Sequence, residues 1–499
     1  MFGGDHCAIL DQPMKFVIKL FPEIIVKSRP VRKQFISQLR KNLKKILSSI
    51  IEQPQVHGIW DRLEVDLKQD DYHLESELIA ILQRTPGIEF ILKVTTYQLS
   101  KNVSSYMDEI AQIVIKQYKD KVKNKTFCLR AKRTGAHPFK SIEMEHQIGG
   151  ALYQNSDSAG VKLKDPEVLV QLELKEDQLF AVQERFQGLG GFPIGQQESC
   201  VSLISGGFDS TVSSYLMIKR GIRTHYLFFN LGGIAHDVGV KQVAHYLWDK
   251  YASSHRVLFI TIPFEPVVSE ILKNVDHSQM GVILKRMMLR VADKVAEEFN
   301  APAIVTGEAV GKVSSQTLTN LSVIDKVSNI LVMRPLIVMD KPDIVELSRK
   351  IGTEEFAAVM PEYCGIIVNK PTTRAKIGKI EKEEKNFDFE ILDQSFLDRK
   401  IENMDQIYQS KLNIESIEVV NLPNKDDTII DIRHPHELAT KPLILTKNEV
   451  LTIPFFKLQY SEKIDKNKTY LLYCDKGVMS QLQAEELFNK GFKVKIYQP

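Results

Sequence analysis

The stretch that most limits what this chain folds into is Ser205-Gly206-Gly207-Phe208-Asp209-Ser210. An apolar run that reads as a strand, Val201-Ser202-Leu203-Ile204, leads into it. A helical pattern through Thr211, Val212, Tyr215 and Leu216 leaves it and stops at Gly221. Strand, glycine turn and helix together make an anion site. The paired glycines let the backbone take positive φ and come close to a ligand, and the N–H groups of a helix N-terminus face a phosphate. The loop lacks the Gly-Lys-Ser/Thr ending of a Walker loop. The bland alternative is a glycine turn capped by Asp209 or Ser210.

The SGGxDS pattern resembles the pyrophosphate (PP) loop of ATP-pyrophosphatases. That resemblance implies cleavage of ATP to AMP and pyrophosphate, with adenylation of a substrate oxygen. The chain around the loop agrees. Strands are expected at His225–Asn230, Val257–Ile262, Ala303–Thr306 and Val332–Leu336, with helices between them. Such alternation predicts a doubly wound, mainly parallel sheet with its ligand at the C-terminal ends of the strands. Gly206–Ser210, Asn230–Gly233 and Gly307 all fall at such ends.

The net charge of +3 over 499 residues hides an asymmetry. Met14 to Ile50 holds ten Lys/Arg and one acid, and Lys121 to Lys140 holds seven Lys/Arg and no acid. Two basic runs in the N-terminal half favour a polyanionic partner. The five cysteines are scattered with no CxxC pair, which argues against structural zinc and against a secreted disulfide scaffold. No run of about 18 apolar residues is present to span a bilayer, and no signal peptide is visible. A reducing cytoplasm is the expected setting.

Residues 1–13 read as an N-terminal extension. Residues 14–74 read as a small α+β domain, opened by the strand Lys15–Leu20 and a basic amphipathic helix over 31–51 with Phe35, Ile36, Leu39, Leu43 and Leu47 on one face. Residues 75–185 contain a strand that alternates apolar with basic residues and a basic loop, Arg130-Ala131-Lys132-Arg133-Thr134-Gly135-Ala136-His137-Pro138-Phe139-Lys140-Ser141. This run resembles the THUMP domain of tRNA-modifying enzymes. The resemblance implies that the N-terminal half grips the tRNA acceptor end, with Arg130, Lys132, Arg133, His137 and Lys140 as RNA-binding residues. Such contacts read phosphate and shape, so they weaken with salt. A glycine-rich linker is expected at Gly188–Pro193, with the PP-loop domain over 186–400. A charged, helical linker (401–421) then leads to a last α/β unit, 422–499. There Cys474 follows the strand Tyr470–Tyr473 and precedes a glycine loop and a helix, Gln481–Asn489. N–H groups and a helix dipole around such a thiol lower its pKa and stabilise a persulfide; a packing cysteine is the alternative. Asp431, Arg433, Glu437 and Cys474 make this unit resemble a rhodanese domain, although many rhodaneses carry Arg where this chain has Ser480.

The order N-terminal ferredoxin-like domain, THUMP, PP loop and C-terminal rhodanese resembles the bacterial tRNA uridine 4-sulfurtransferases (4-thiouridine synthetases) of the long type. The motifs Gly190–Gly195, Leu284–Met288, Thr306–Glu308, Ser314–Thr317, Asp340–Lys341, Pro361–Gly365 and Tyr473–Ser480 carry the match. It implies ATP, with Mg²⁺, held by Leu203, Ile204, Ser205, Gly206, Gly207, Ser210, Lys285, Gly307 and Gln316, and Asp209 and Lys341 in adenylation. Lys312 stands where the family often has Gln. Cys474 would take sulfur from a cysteine desulfurase. Cys364 would attack the persulfide, leaving a Cys364–Cys474 disulfide for a cellular reductant. The family also supplies sulfur for the thiamine thiazole, which implies a sulfur-carrier protein as a further partner. No resident protein-held metal is expected. Two other classes fit parts of the chain: a PP-loop ligase or amidotransferase acting on a small molecule, and a non-catalytic sulfur carrier or RNA-binding adaptor.

Overall fold

Phe16, Ile18 and Leu20 share one buried face of the strand Met14–Leu20 (β1), while Val17 is buried on the other face between Lys15 and Lys19. The computed structural model describes residues 14–59, 62–100, 102–231, 233–358, 360, 371–407, 417–425 and 427–433; beyond these it describes 438, 443, 448–454, 458, 461, 463–474, 480, 483–484, 487–488 and 490–499. The chain forms two compact units that part between Pro193 and Ile194.

In the first unit β1 is joined by Gln55–Ile59 (β2), Arg62–Leu67 (β3), Ile88–Gln98 (β4), Thr126–Thr134 (β5), Gly160–Val161 (β6), Val168–Lys175 (β7) and Gln178–Gly190 (β8). They form one sheet in the order β2-β3-β1-β4-β8-β7-β5-β6. The helix Arg29–Leu47 buries Phe35, Ile36, Leu39, Leu43 and Leu47 against this sheet and leaves its basic residues outward. Each buried leucine contributes about 1.5–3 kcal/mol, so packing rather than propensity holds this lysine-rich helix. The helices Tyr106–Tyr118 and Ser141–Gln154 cover the second half, where Ile110, Val114, Phe127, Met144, Ile148 and Leu172 share a core.

β4 serves both halves. Ile88 and Ile91 lie in the first core, while Tyr97, with Leu99 just past the strand's end, meets the second. Its antiparallel register with β8 runs from Ile88 opposite Gly190 to Gln98 opposite Gln178, which makes a single sheet of the two N-terminal segments. β8 therefore continues well past Gln183, and the expected linker at Gly188–Pro193 begins as strand. The glycines serve close pairing rather than slack. A Cβ on Gly188 would collide with the Ile88 carbonyl, and Gly190 has φ of +72°.

The second unit is built on Ser199–Leu203 (β9), Arg223–Asn230 (β10), Leu258–Pro263 (β11), Ala303–Val305 (β12), Leu331–Met333 (β13) and Lys400–Asn403 (β14). The order is β13-β12-β9-β10-β11-β14, parallel throughout except for β14. Chain order reverses between β9 and β12, which is the switch point where doubly wound sheets open a crevice for ligands. The helix Met280–Glu298 packs on the sheet through Ile283, Leu284, Met287, Val291 and Val295. Its Arg286 is buried and donates to both carboxylate oxygens of Glu384, at 2.6 and 2.9 Å. At residue 400 the expected helical linker is instead strand β14, whose backbone pairs antiparallel with β11. Strands Val419–Val420 (β15), Thr428–Asp431 (β16), Val450–Thr452 (β17), Thr469–Tyr473 (β18) and Lys493–Tyr497 (β19) form a separate, wholly parallel sheet in the order β15-β19-β18-β16-β17. The expected helix Gln481–Asn489 falls largely outside the described residues.

Because β4 and β8 approach closely at Gly188, Gly188→Ala is expected to destabilise the first unit by about 1–3 kcal/mol. Differential scanning calorimetry should show one transition lowered; an unchanged melting profile would contradict the close-pairing account.

Candidate functional site

β9 ends at Leu203, and the Ile204 N–H donates to Leu227 O at 2.9 Å, so the chain leaves the sheet under control of its neighbour β10. Gly206 then takes φ of +82°, and a Cβ on it would lie 2.5 Å from Met360 Cε. Gly207 has φ of −74° and caps the helix Phe208–Lys219. Only one of the two glycines therefore uses the left-handed region, in contrast to the expectation for both. Ser210 is an internal strut. Its Oγ accepts the Ser205 N–H at 3.1 Å and lies 3.1 Å from Ser205 Oγ. The Thr211 hydroxyl donates to Gly207 O at 2.8 Å.

Gly307, just past β12, meets this loop with bare backbone. A Cβ there would lie 2.6 Å from the Asp209 carbonyl carbon and 2.7 Å from the Ser210 nitrogen. Any side chain at 307 would push the helix N-terminus away. Asp209 Oδ2 pairs with Lys312 Nζ. Its Oδ1 lies 3.9 Å from Lys341 Nζ and is buried without a hydrogen-bond donor among the described residues. Lys341 opens the helix Lys341–Lys350 and holds its ammonium 4.5 Å over the Phe208 ring.

Beside this lies a buried charge cluster. Glu308 is only 5% exposed. Its Oε1 takes the Lys285 ammonium at 2.7 Å, and its Oε2 takes Arg334 Nε at 2.8 Å and the Thr306 hydroxyl at 3.0 Å. Arg334 also pairs with Asp325 at 2.5 Å. Burial alone would raise the Glu308 pKa, but Lys285 and Arg334 outweigh it and bring the carboxyl down to about 2. Gln316 Oε1 accepts the Ala309 N–H at 3.3 Å and its carbonyl accepts the Gly311 N–H at 3.0 Å, closing the loop that carries Lys312. Leu203 to Ser210, Lys285, Gly307, Gln316 and Lys341 are thus brought to one end of the sheet, at the switch point. Sequence reasoning gave no role to Glu308, Arg334 or Lys312. Glu308 stood in a quoted motif, but its partners are 23 and 26 residues away in sequence.

On the parallel C-terminal sheet, Cys474 follows β18 and is buried. Its Sγ receives the Ser480 N–H at 3.2 Å and lies 3.4 Å from Ser480 Oγ. Asp431 and Arg433 pair at 2.6 Å, with Arg433 stacked 4.9 Å from the Tyr473 ring. Cys364, with Pro361–Gly365, lies outside the described residues, as do Glu437 and 475–479. Cys200 is a packing cysteine whose burial pushes its thiol up to about 12.

On the first unit, Arg130 and Lys132 are exposed on β5, Arg130 sharing Glu145 at 3.1 Å. Arg133 and His137 are tied into the following loop: Arg133 Nη1 donates to Gly135 O at 2.9 Å, and His137 Nε2 lies 2.6 Å from Glu176 O. Lys140 is exposed, and its N–H donates to Glu143 at 3.0 Å. Among the described residues no helix is long and apolar enough to cross a membrane.

Family models match in three consecutive stretches: a ferredoxin-like domain of ThiI over residues 15–91, a THUMP domain over 104–180, and the thiamine biosynthesis protein ThiI over 195–389. The tRNA sulfurtransferase of Saccharophagus degradans is 49% identical over 489 residues, 97% of this chain and 100% of that protein. That of Shewanella piezotolerans is 50% identical over 492 residues, with the same coverage of each. This chain belongs to the tRNA sulfurtransferase family. It is an enzyme of that family. The crystal structure of a 4-thiouridine synthetase–RNA complex with bound ATP superposes with a TM-score of 0.66 at 25% identity, covering 79% of this chain and 100% of that one. PH1313 from Pyrococcus horikoshii, at 19% identity and a TM-score of 0.51 over 68% of this chain and 100% of that one, shares the fold. The charge cluster and the glycine loop both lie inside the stretch matched by the ThiI model.

Glu308 binds its proton more weakly folded than unfolded, so its contribution is full above about pH 4.5 and is lost as pH falls toward 2. Glu308→Gln is expected to cost about 3 kcal/mol near neutral pH, by removing the buried charge that Lys285 and Arg334 share. It should also flatten the loss of stability on acidification across that window. Calorimetry from pH 6 to 3 on both proteins checks it; equal acid slopes would refute the assignment.

Proposed function

We propose that this chain uses ATP to adenylate the C4 oxygen of a tRNA uridine and replaces that oxygen with persulfide sulfur, giving 4-thiouridine. The observation that carries the reading is the convergence of the glycine loop, Gly307, Asp209, Lys285, Gln316 and Lys341 on one switch point. The solved relative that holds both RNA and ATP supports it. The domains assigned are ferredoxin-like over 14–74, THUMP over 75–185, PP-loop over 186–400 and rhodanese over 422–499, with 186–190 pairing in β8 of the first unit and 401–403 belonging to β14 rather than to the linker expected over 401–421. The parallel sheet with Cys474 at the end of β18 supports the last of these.

The chemistry runs in two stages. The uridine O4 attacks the α-phosphorus; the O4–P bond forms, the bond to the β-phosphate bridging oxygen breaks, and pyrophosphate leaves on that oxygen. The glycine loop and the N–H groups of the helix Phe208–Lys219 offer the donors for the phosphates. A buried Asp209 Oδ1 with no donor among the described residues fits a magnesium ion accompanying ATP. Asp209 would hold that ion, which would supply charge neutralisation to the phosphates. Sulfur from a cysteine desulfurase is carried on Cys474, where the Ser480 N–H faces the sulfur. The terminal sulfur attacks C4 and expels AMP, after which the Cys364 thiolate attacks Cys474 Sγ; alternatively Cys364 first frees sulfide, which then attacks. Both routes close a Cys364–Cys474 disulfide that a dithiol reductant reopens. The match to a thiamine biosynthesis model supports sulfur delivery to a thiazole-forming carrier as a second outlet. A cytoplasmic setting suits a cysteine pair that must be reduced again in each cycle.

The deciding assay measures sulfur incorporation into unmodified tRNA with ATP, Mg²⁺, cysteine and a desulfurase. Cys474→Ala and Cys364→Ala are expected to abolish incorporation yet still release pyrophosphate with tRNA, while Asp209→Ala loses that release and keeps tRNA binding. Full thiolation by both cysteine variants would overturn the sulfur route. Pyrophosphate release without tRNA, on a small molecule, would favour a ligase; absence of any would favour an adaptor. For the RNA side, Lys132→Ala with Lys140→Ala should weaken tRNA binding across sequences and lower the log–log salt slope by about 1.4, at about 0.7 per contact for single-stranded RNA. An unchanged slope would remove both from the interface.

A further inference from the structure

The Lys312–Asp209 pair lies at the mouth of the glycine loop. Asp209 is the second residue of the helix Phe208–Lys219, and its carboxylate stands there between two ammonium groups, Lys312 on Oδ2 and Lys341 at 3.9 Å from Oδ1. A carboxylate held by two lysines at a helix N-terminus is in the position and company of a phosphate group. Lys341 is further held over the Phe208 ring, 4.5 Å from its centroid, while Lys312 rides on the loop closed by Gln316. That loop is bracketed by Gly311, at φ of +77°, and begins where Gly307 touches Asp209. Both ammonium groups face the one carboxylate, and Lys312 is solvent-accessible.

We infer that Lys312 is a further catalytic residue of this chain: it exchanges Asp209 for the β- and γ-phosphates of ATP and neutralises the pyrophosphate as it leaves. The inference rests on the adenylation reading above. In that step the bond between the α-phosphorus and the β-bridging oxygen breaks, and the electron pair stays on the oxygen of pyrophosphate. An ammonium placed there favours the charge that develops on the leaving group. A neutral amide in its place would lack that charge, which makes Lys312→Gln the informative substitution.

Inorganic pyrophosphate is the probe. With the full-length chain and unmodified tRNA, pyrophosphate inhibition of ATP-dependent AMP-tRNA formation is measured for wild type, Lys312→Gln and Lys312→Arg. Lys312→Gln is expected to raise the inhibition constant for pyrophosphate by about ten- to a hundredfold, with tRNA affinity and melting temperature unchanged and with Lys312→Arg near wild type. A purely structural lysine would not move the pyrophosphate constant selectively. If wild type forms AMP-tRNA and Lys312→Gln shows wild-type pyrophosphate inhibition, the role of Lys312 is overturned alone. If wild type forms no AMP-tRNA, the adenylation reading fails and this inference with it.

Discussion

A buried carboxylate fixes the geometry of the second unit. Removing an ion such as Glu308 from water costs several kcal/mol, which is offset only where partners surround it closely. Here Lys285 comes from the long helix, Thr306 from the end of β12, and Arg334 from just beyond β13. One charge therefore ties together three elements that meet beside the switch point. Gly307 precedes it in sequence and touches the helix N-terminus of the glycine loop with no side chain between. The position of the loop relative to Lys285 follows from these two contacts together. Neither works alone: a shifted Glu308 would carry Gly307 with it, and a side chain at 307 would part the loop from the cluster.

The legible part of this fold was local. Strand, glycine turn and helix at 201–219 follow from residue types within one another's reach, and the helix Arg29–Leu47 announces itself by apolar residues three and four apart. Alternation of strands and helices was enough to place the site at strand ends. What stayed hidden depends on partners distant in sequence. The joining of the two N-terminal segments rests on β4 meeting β8 about ninety residues later, and strands give no sign of which edge they seek. The linker expected at Gly188–Pro193 does lie where the two units part, but its first residues pair in β8, because close pairing and a chain junction both call for glycine. Lys400–Asn403 is too short and too charged to read as a strand, and it is one because β11 offers an open edge. The pairs Lys312–Asp209 and Arg334–Glu308 were equally invisible, since a charge carries no periodicity.

The edge strand β14 fixes where the chain leaves the six-stranded sheet. The segment toward Cys474 is pinned at β14: Glu402 takes Lys241 at 2.6 Å, and β14 pairs with β11 over four residues. The hold continues past the paired residues: the Met404 N–H donates to Val257 O at 2.9 Å, and Met404 and Ile407 are buried. Four paired residues, one ion pair and two buried side chains thus close the sheet edge that β11 would otherwise leave open.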